Sequence, residues 1–174
     1  GFGSIGYHVV KELIKIGFHN LIIYDNNECN YFYIQNELNN ENIKYILGDI
    51  MDTDKIEDIF INNKIDIVYH VAAYKHVSLL EVNEYESVKI NIFGTKNIAD
   101  IALKYGTEKF IFISTDKAVN PSNVMGCCKR ISEKYIEYLW NTYKKTKFIT
   151  IRFGNVLGSS GSLIPKFIKM INSN

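Results

Sequence analysis

Residues 1–25 open with Gly1-Phe2-Gly3-Ser4-Ile5-Gly6 and close with Leu21-Ile22-Ile23-Tyr24-Asp25. The first six fit G-x-G-x-x-G and lead into apolar residues at Ile5, Val9, Leu13 and Ile16, the spacing of one helical face, with Gly17 as its stop. Glycine is needed there because a side chain would block a pyrophosphate from the backbone N–H groups at the helix start. The apolar run at 21–24 reads as a buried strand. Asp25 stands at its end, about 20 residues after the glycines, where a carboxylate accepts hydrogen bonds from an adenosine ribose. A free 2′-hydroxyl suits it, whereas a 2′-phosphate would be repelled. Gly1, Gly3, Ser4, Ile5, Gly6 and Asp25 are therefore expected to bind NAD in preference to NADP, rather than to form a plain structural turn. Asp49, with Ile50 beside it after the next strand, is expected near the adenine; a loop carboxylate or helix cap is the other reading of Asp49.

Strand and helix patterns then alternate to the end of the chain. Helices are expected over 29–38, 52–61, 84–105 and 122–144, and strands over 43–47, 65–73, 109–114 and 148–153. Connections of that length are crossover helices, so the fold class is α/β: a Rossmann-like doubly wound parallel sheet in one dinucleotide-binding domain, 1–174. In such a sheet the glycine loop follows the first strand, which lies mid-sheet. Here the loop starts the chain, which predicts a partial domain lacking that strand and the C-terminal substrate region, with a gap at the sheet centre.

Composition sets limits on partners. Twenty Lys and Arg against nineteen Asp and Glu give a net charge of +1, so no basic field exists for a nucleic-acid backbone. Hydrophobic residues at 47% and charged residues at 22% are globular values. Cys29 and the adjacent pair Cys127 and Cys128 are poor disulfide material and predict a reduced, cytoplasmic setting. No apolar run approaches the roughly 20 residues of a membrane span, and any membrane anchor is expected upstream of Gly1. His8, His19 and His70 lack ligand spacing with the cysteines, so no metal is expected.

The chemistry is expected at Ser114-Thr115-Asp116-Lys117, at the carboxyl end of a strand, the edge where open α/β sheets place ligands. Met125 and Lys129 follow at i and i+4 on one helical face, the spacing of a Tyr-x-x-x-Lys pair with Met replacing Tyr. With these, Ala72-Ala73-Tyr74-Lys75-His76-Val77, Asn91 with Gly94-Thr95, and Arg152-Phe153-Gly154-Asn155-Val156-Leu157-Gly158 complete a recognisable set. The chain resembles the nucleotide-sugar 4,6-dehydratases of the extended short-chain dehydrogenase/reductase superfamily. Within them it is similar to the polysaccharide-biosynthesis branch acting on UDP-N-acetylglucosamine, in a subgroup bearing Met.

That resemblance implies a lyase for surface glycan biosynthesis: NAD takes a hydride from sugar C4, water leaves across C5 and C6, and the hydride returns to C6. It implies Asp116 as the acid at the C6 hydroxyl and Lys117 as the base at C5. Thr115 would bond the C4 oxygen, and Lys129 would hold the nicotinamide ribose. Met125 cannot carry a proton and is either a shaping or a packing residue. Ala72 and Ala73 are implied at the cofactor, and Lys75, His76, Asn155, Gly161 and Ser162 at the UDP-sugar substrate. Homo-oligomerisation through helices 84–105 and 122–144 is implied too. The alternatives are a related epimerase, which recycles the electrons without losing water, or a non-catalytic dinucleotide sensor.

Overall fold

The computed structural model describes residues 1–38 and 40–156. Helix α1 (Ser4–Ile16) begins after Gly3 and ends at Gly17, whose φ of 86° is a conformation that L side chains resist. Strand β1 (Leu21–Asp25), helix α2 (Glu28–Leu38) and strand β2 (Ile43–Leu47) follow. β1 and β2 pair in parallel, from Leu21 opposite Ile43 to Asp25 opposite Leu47. Phe2, Val10, Ile23, Ile34 and Ile43 make one buried cluster there.

Helix α3 (Thr53–Asn62) is capped by Asp52, which accepts from the Lys55 backbone N–H at 3.1 Å. Strand β3 (Ile67–His70) and a single turn of helix, α4 (Val77–Leu80), lead into α5 (Glu84–Ser87). A π-helical segment, Val88–Gly94, joins α5 without a break to α6 (Thr95–Lys104). Strand β4 (Lys109–Thr115), a 3₁₀ turn (Asp116–Ala118), helix α7 (Val124–Tyr143) and strand β5 (Lys147–Phe153) complete the chain described. β3, β4 and β5 form a parallel sheet in that order. A second cluster, including Ile56, Val68, Ala99, Phe110, Phe112 and Ile136, fills the space beneath it.

All pairing is parallel, as alternating strands and helices require. No ladder joins β1 to β3, so the strands form two sheets, β1–β2 and β3–β4–β5, and the gap expected at the sheet centre is present among the described residues. Two expectations are corrected. The strand read over 65–73 spans only Ile67–His70, because the chain leaves the sheet to meet Asn91. The Asn91 side chain acts as a false strand for that segment: its Oδ1 accepts from Tyr74 N at 2.9 Å and its Nδ2 donates to Tyr74 O at 3.0 Å. The helix over 84–105 carries the π segment that a uniform helical period conceals.

His70 is sealed where these parts meet, with Phe110 and Phe112 beside its ring at centroid distances of 5.8 and 5.7 Å. The Thr95 hydroxyl donates to Asn91 O at 2.7 Å, so His70 Nε2, 2.8 Å from that hydroxyl, is the donor to it. Burial, reinforced by the Lys129 charge, pushes the imidazole pKa down to about 3. Among the described residues no helix is long and apolar enough to cross a membrane.

Candidate active site

A cavity of about 660 Å³ opens between the two sheets, lined by residues 1–7, 24–27, 48–50 and 71–76 among others. It lies off the carboxyl ends of β1 and β3, where the sheet changes direction, the usual place for a ligand in a doubly wound fold. Every residue read from the sequence as a cofactor residue lines it except Lys129: Gly1, Gly3, Ser4, Ile5, Gly6, Asp25, Asp49, Ile50, Ala72 and Ala73. Lys75 and His76 line it as well.

The glycines differ in what they do. A Cβ on Gly6 would strike the Gly1 carbonyl, so that glycine lets the loop fold against its own helix. A Cβ on Gly3 would meet nothing of the protein within 4 Å. The space beside Gly3 is thus open at the start of α1, which fits a phosphate group approaching the helix N-terminus. Asp25 fixes the loop from below: its Oδ2 accepts from the backbone nitrogens of Gly1 and Phe2 at 2.6 and 2.7 Å, and its Oδ1 from Asn27 N at 2.9 Å. Burial works against the charged form of this carboxyl, and the backbone N–H donors of Phe2 and Asn27 favour it. Asp49 is engaged on both oxygens, accepting from Met51 N at 2.9 Å and Asn26 Nδ2 at 3.1 Å. Its carbonyl accepts the Tyr24 hydroxyl at 2.8 Å.

The second cluster sits at the carboxyl end of β4. Thr115 Oγ1 donates to Asp116 Oδ1 at 2.9 Å, and Lys117 Nζ donates to the same oxygen at 3.1 Å. Lys117 Nζ also donates to Asn155 Oδ1 at 3.1 Å. Bonds from Lys117 and Thr115 hold the exposed Asp116 carboxyl below the usual range, so it rests ionised. Thr115, Asp116, Lys117 and Asn155 are therefore brought together, although residues 38 apart supply the last contact.

Helix α7 packs directly beneath this turn. Asn123 caps it by accepting from Gly126 N at 2.8 Å, and a Cβ on Gly126 would stand 2.5 Å from the Lys117 carbonyl. Met125 is 5% exposed and packs within the fold. Lys129 is 7% exposed; its Nζ donates to Ile113 O at 2.7 Å and lies 4.4 Å from the Phe112 ring centroid. Burial lowers its pKa to about 8, against the opposing pull of Glu133. Gly161 and Ser162 lie outside the described residues.

Sequence reading assigned no role to Asn91 or Glu133. Glu133 lies four residues after Lys129, on the same face of α7, and is only 5% exposed. It takes a two-pronged contact from Arg152, Nε to Oε1 at 2.7 Å and Nη2 to Oε2 at 2.6 Å, with Arg130 Nη1 at 3.2 Å from Oε2. A glutamate one turn past the lysine and an arginine three residues before Asn155 were the available signal.

The whole chain, residues 1–174, matches the family described as polysaccharide biosynthesis protein. It is 45% identical over 168 residues to an uncharacterised membrane protein of Methanocaldococcus jannaschii, covering 95% of this chain and 50% of that one. It is 37% identical over 174 residues to an inverting UDP-N-acetylglucosamine 4,6-dehydratase of Campylobacter jejuni, covering 98% of this chain and 52% of the relative. A UDP-glucose 4-epimerase of Rickettsia bellii is 36% identical over 184 aligned residues, covering all of this chain and 52% of that protein. Among solved structures, Pen from Bacillus thuringiensis superposes with a TM-score of 0.94 at 36% identity, covering 99% of this chain and 53% of that one. The chain thus spans about half the length of these relatives. With a two-sheet parallel fold, a glycine loop and a Thr-Asp-Lys corner all in place, the chain belongs to the polysaccharide biosynthesis protein family, within the extended short-chain dehydrogenase/reductase superfamily.

Proposed function

We propose that this protein dehydrates UDP-N-acetylglucosamine to a UDP-linked 4-keto-6-deoxy acetamido sugar, using NAD. The observation that carries the reading is the contact of Asp116 and Lys117 at the carboxyl end of β4, which puts an acid and a base 3.1 Å apart beside a hydroxyl. The open space at Gly3, the Asp25 carboxylate and the cavity between the sheets fit a dinucleotide. Bound there, NAD would supply a two-electron oxidation at sugar C4 and its reversal at C6.

The chain's own part is proton work. At rest Lys117 is paired with an ionised Asp116. One proton passing from the ammonium to the carboxylate yields a neutral amine and a neutral acid with no net change of charge. The amine then takes the C5 proton, made acidic by the C4 ketone, while the acid protonates the C6 hydroxyl as it leaves as water. That step restores the ammonium–carboxylate pair, and the Lys117 ammonium can return a proton to C5 when C6 is reduced. Thr115 holds the C4 oxygen; with no phenol at Met125, the proton of that oxygen passes to solvent water, and solvent returns one proton to the Lys117 amine after C5 is protonated, which restores the resting pair.

Chromatographic separation with mass measurement of the sugars, after the full chain is incubated with UDP-N-acetylglucosamine and NAD, tests this. A product lighter by one water is expected. An isobaric product would replace the proposal with epimerisation, the reading favoured by similarity to the Rickettsia epimerase. An unchanged sugar would leave a dinucleotide-binding protein without this chemistry.

A further inference from the structure

We propose that the contact of Arg152 with the buried Glu133 carboxylate is a positioning device for the reacting lysine, setting where Asn155 meets Lys117 Nζ. This rests on the dehydratase reading for its catalytic consequence and on geometry for its structural part. Arg152 lies opposite Ser114 in the β4–β5 register, and Phe153 lies opposite Thr115. The strand therefore runs past the catalytic turn and delivers Gly154 and Asn155 beside it: a Cβ on Gly154 would stand 3.3 Å from Asp116 Oδ2, and Asn155 Oδ1 accepts from Lys117 Nζ at 3.1 Å.

Two separate grips on α7 fix that contact. Near its start, Gly126 packs against the Lys117 carbonyl and holds the backbone of the lysine. Two turns later, Glu133 holds β5 through both of its carboxylate oxygens. The amine and its partner are thereby referred to the same rigid helix. Glu133 is 5% exposed and Arg152 40% exposed, so the contact ties the strand to a buried carboxylate rather than sealing two charges away. The planar guanidinium fork adds direction. With Nε and Nη2 each on one carboxylate oxygen, Arg152 cannot rotate or slide along the strand without giving up both bonds, and the three residues to Asn155 inherit that register.

The test is a double-mutant cycle on the full chain, read by two measurements. The first is the rate of trace acetylation of the Lys117 amine by acetic anhydride, followed by peptide mass spectrometry, with Lys96, paired to Asp100 at 2.6 Å, as internal reference. Glu133→Gln, Arg152→Lys and Asn155→Ala should each raise Lys117 acetylation several-fold relative to Lys96. Arg152→Lys combined with Asn155→Ala should raise it no further. The second is steady-state turnover, where Arg152→Lys should lower kcat about tenfold with KM within about twofold, the signature of misplaced catalytic groups rather than lost binding.

Unchanged Lys117 labelling in Glu133→Gln and Arg152→Lys, alongside faster labelling in Asn155→Ala, would overturn the proposal. So would additive effects in the double variant. If the labelling pattern holds while the parent protein releases no water from the sugar, the positioning stands and the dehydratase reading falls.

Discussion

Lys117 donates both to the Asp116 carboxylate, its proposed proton partner, and to the Asn155 amide oxygen just past β5. Replacing Lys117 by Ala removes the proposed base, and Lys117 is not among the residues lining the glycine-loop cavity. Turnover should fall by at least 10²-fold, as removal of a general base does, while NAD titrated by fluorescence binds as before. Undiminished turnover would remove Lys117 from the mechanism. At this scale the sequence was most informative: that Asp25 and the glycines share one cavity and that Thr115, Asp116 and Lys117 meet at a strand end follows from residue type and local spacing. The contact of Asn155 with Lys117 was not legible, because a contact between residues 38 apart depends on which strand lies beside which. Glu133 was invisible for the same reason. Nothing in a helix pattern says that a glutamate faces inward, and Arg152 on the neighbouring strand, with Arg130 one turn earlier, makes its burial tolerable.

The helix from Glu84 to Lys104 shows what an element conceals from its sequence. Its ends were legible, but the π segment at Val88–Gly94 was not, since one widened turn leaves the apolar spacing almost unchanged. The widened turn is where Asn91 occupies the core, fully buried, with its amide bonded to both backbone groups of Tyr74 and its carbonyl accepting the Thr95 and Ser132 hydroxyls at 2.7 Å each. Asn91→Ala would leave the Tyr74 N–H and C=O without their partner. A loss of about 2–4 kcal/mol is expected from two such groups, measured by urea unfolding, together with weaker dinucleotide binding because residues 71–76 line the cavity. A loss below about 1 kcal/mol would show that the segment is held from elsewhere. The strand before that segment was read too long for a related reason: Val71-Ala72-Ala73 is apolar enough for a strand, and only the distant asparagine draws it out of the sheet.

Across the whole molecule, the buried His70 gives the fold a response to mild acid, above the range in which carboxylates held below their usual values, such as Asp116 and Glu133, add theirs. His70 has a pKa of about 3 in the fold against 6.5 when free, so the unfolded chain binds the extra proton between those values. Stability from keeping the ring neutral is fully present above about pH 6.5 and is lost as the pH falls toward 3, with a slope of up to about 1.4 kcal/mol per pH unit. Urea midpoints measured from pH 7.5 down to 5 should fall accordingly, and His70→Gln should flatten that part of the curve. An unchanged slope in the variant would assign the acid sensitivity to other groups. The separation of the strands into two sheets, each with its own apolar cluster, has a different consequence. With no ladder between β1 and β3, side chains do the tying among the described residues: Tyr24 of β1 packs against the apolar cluster of the other sheet. A dinucleotide lying across that seam would add a second clasp, so its binding should raise the resistance of both clusters to unfolding together.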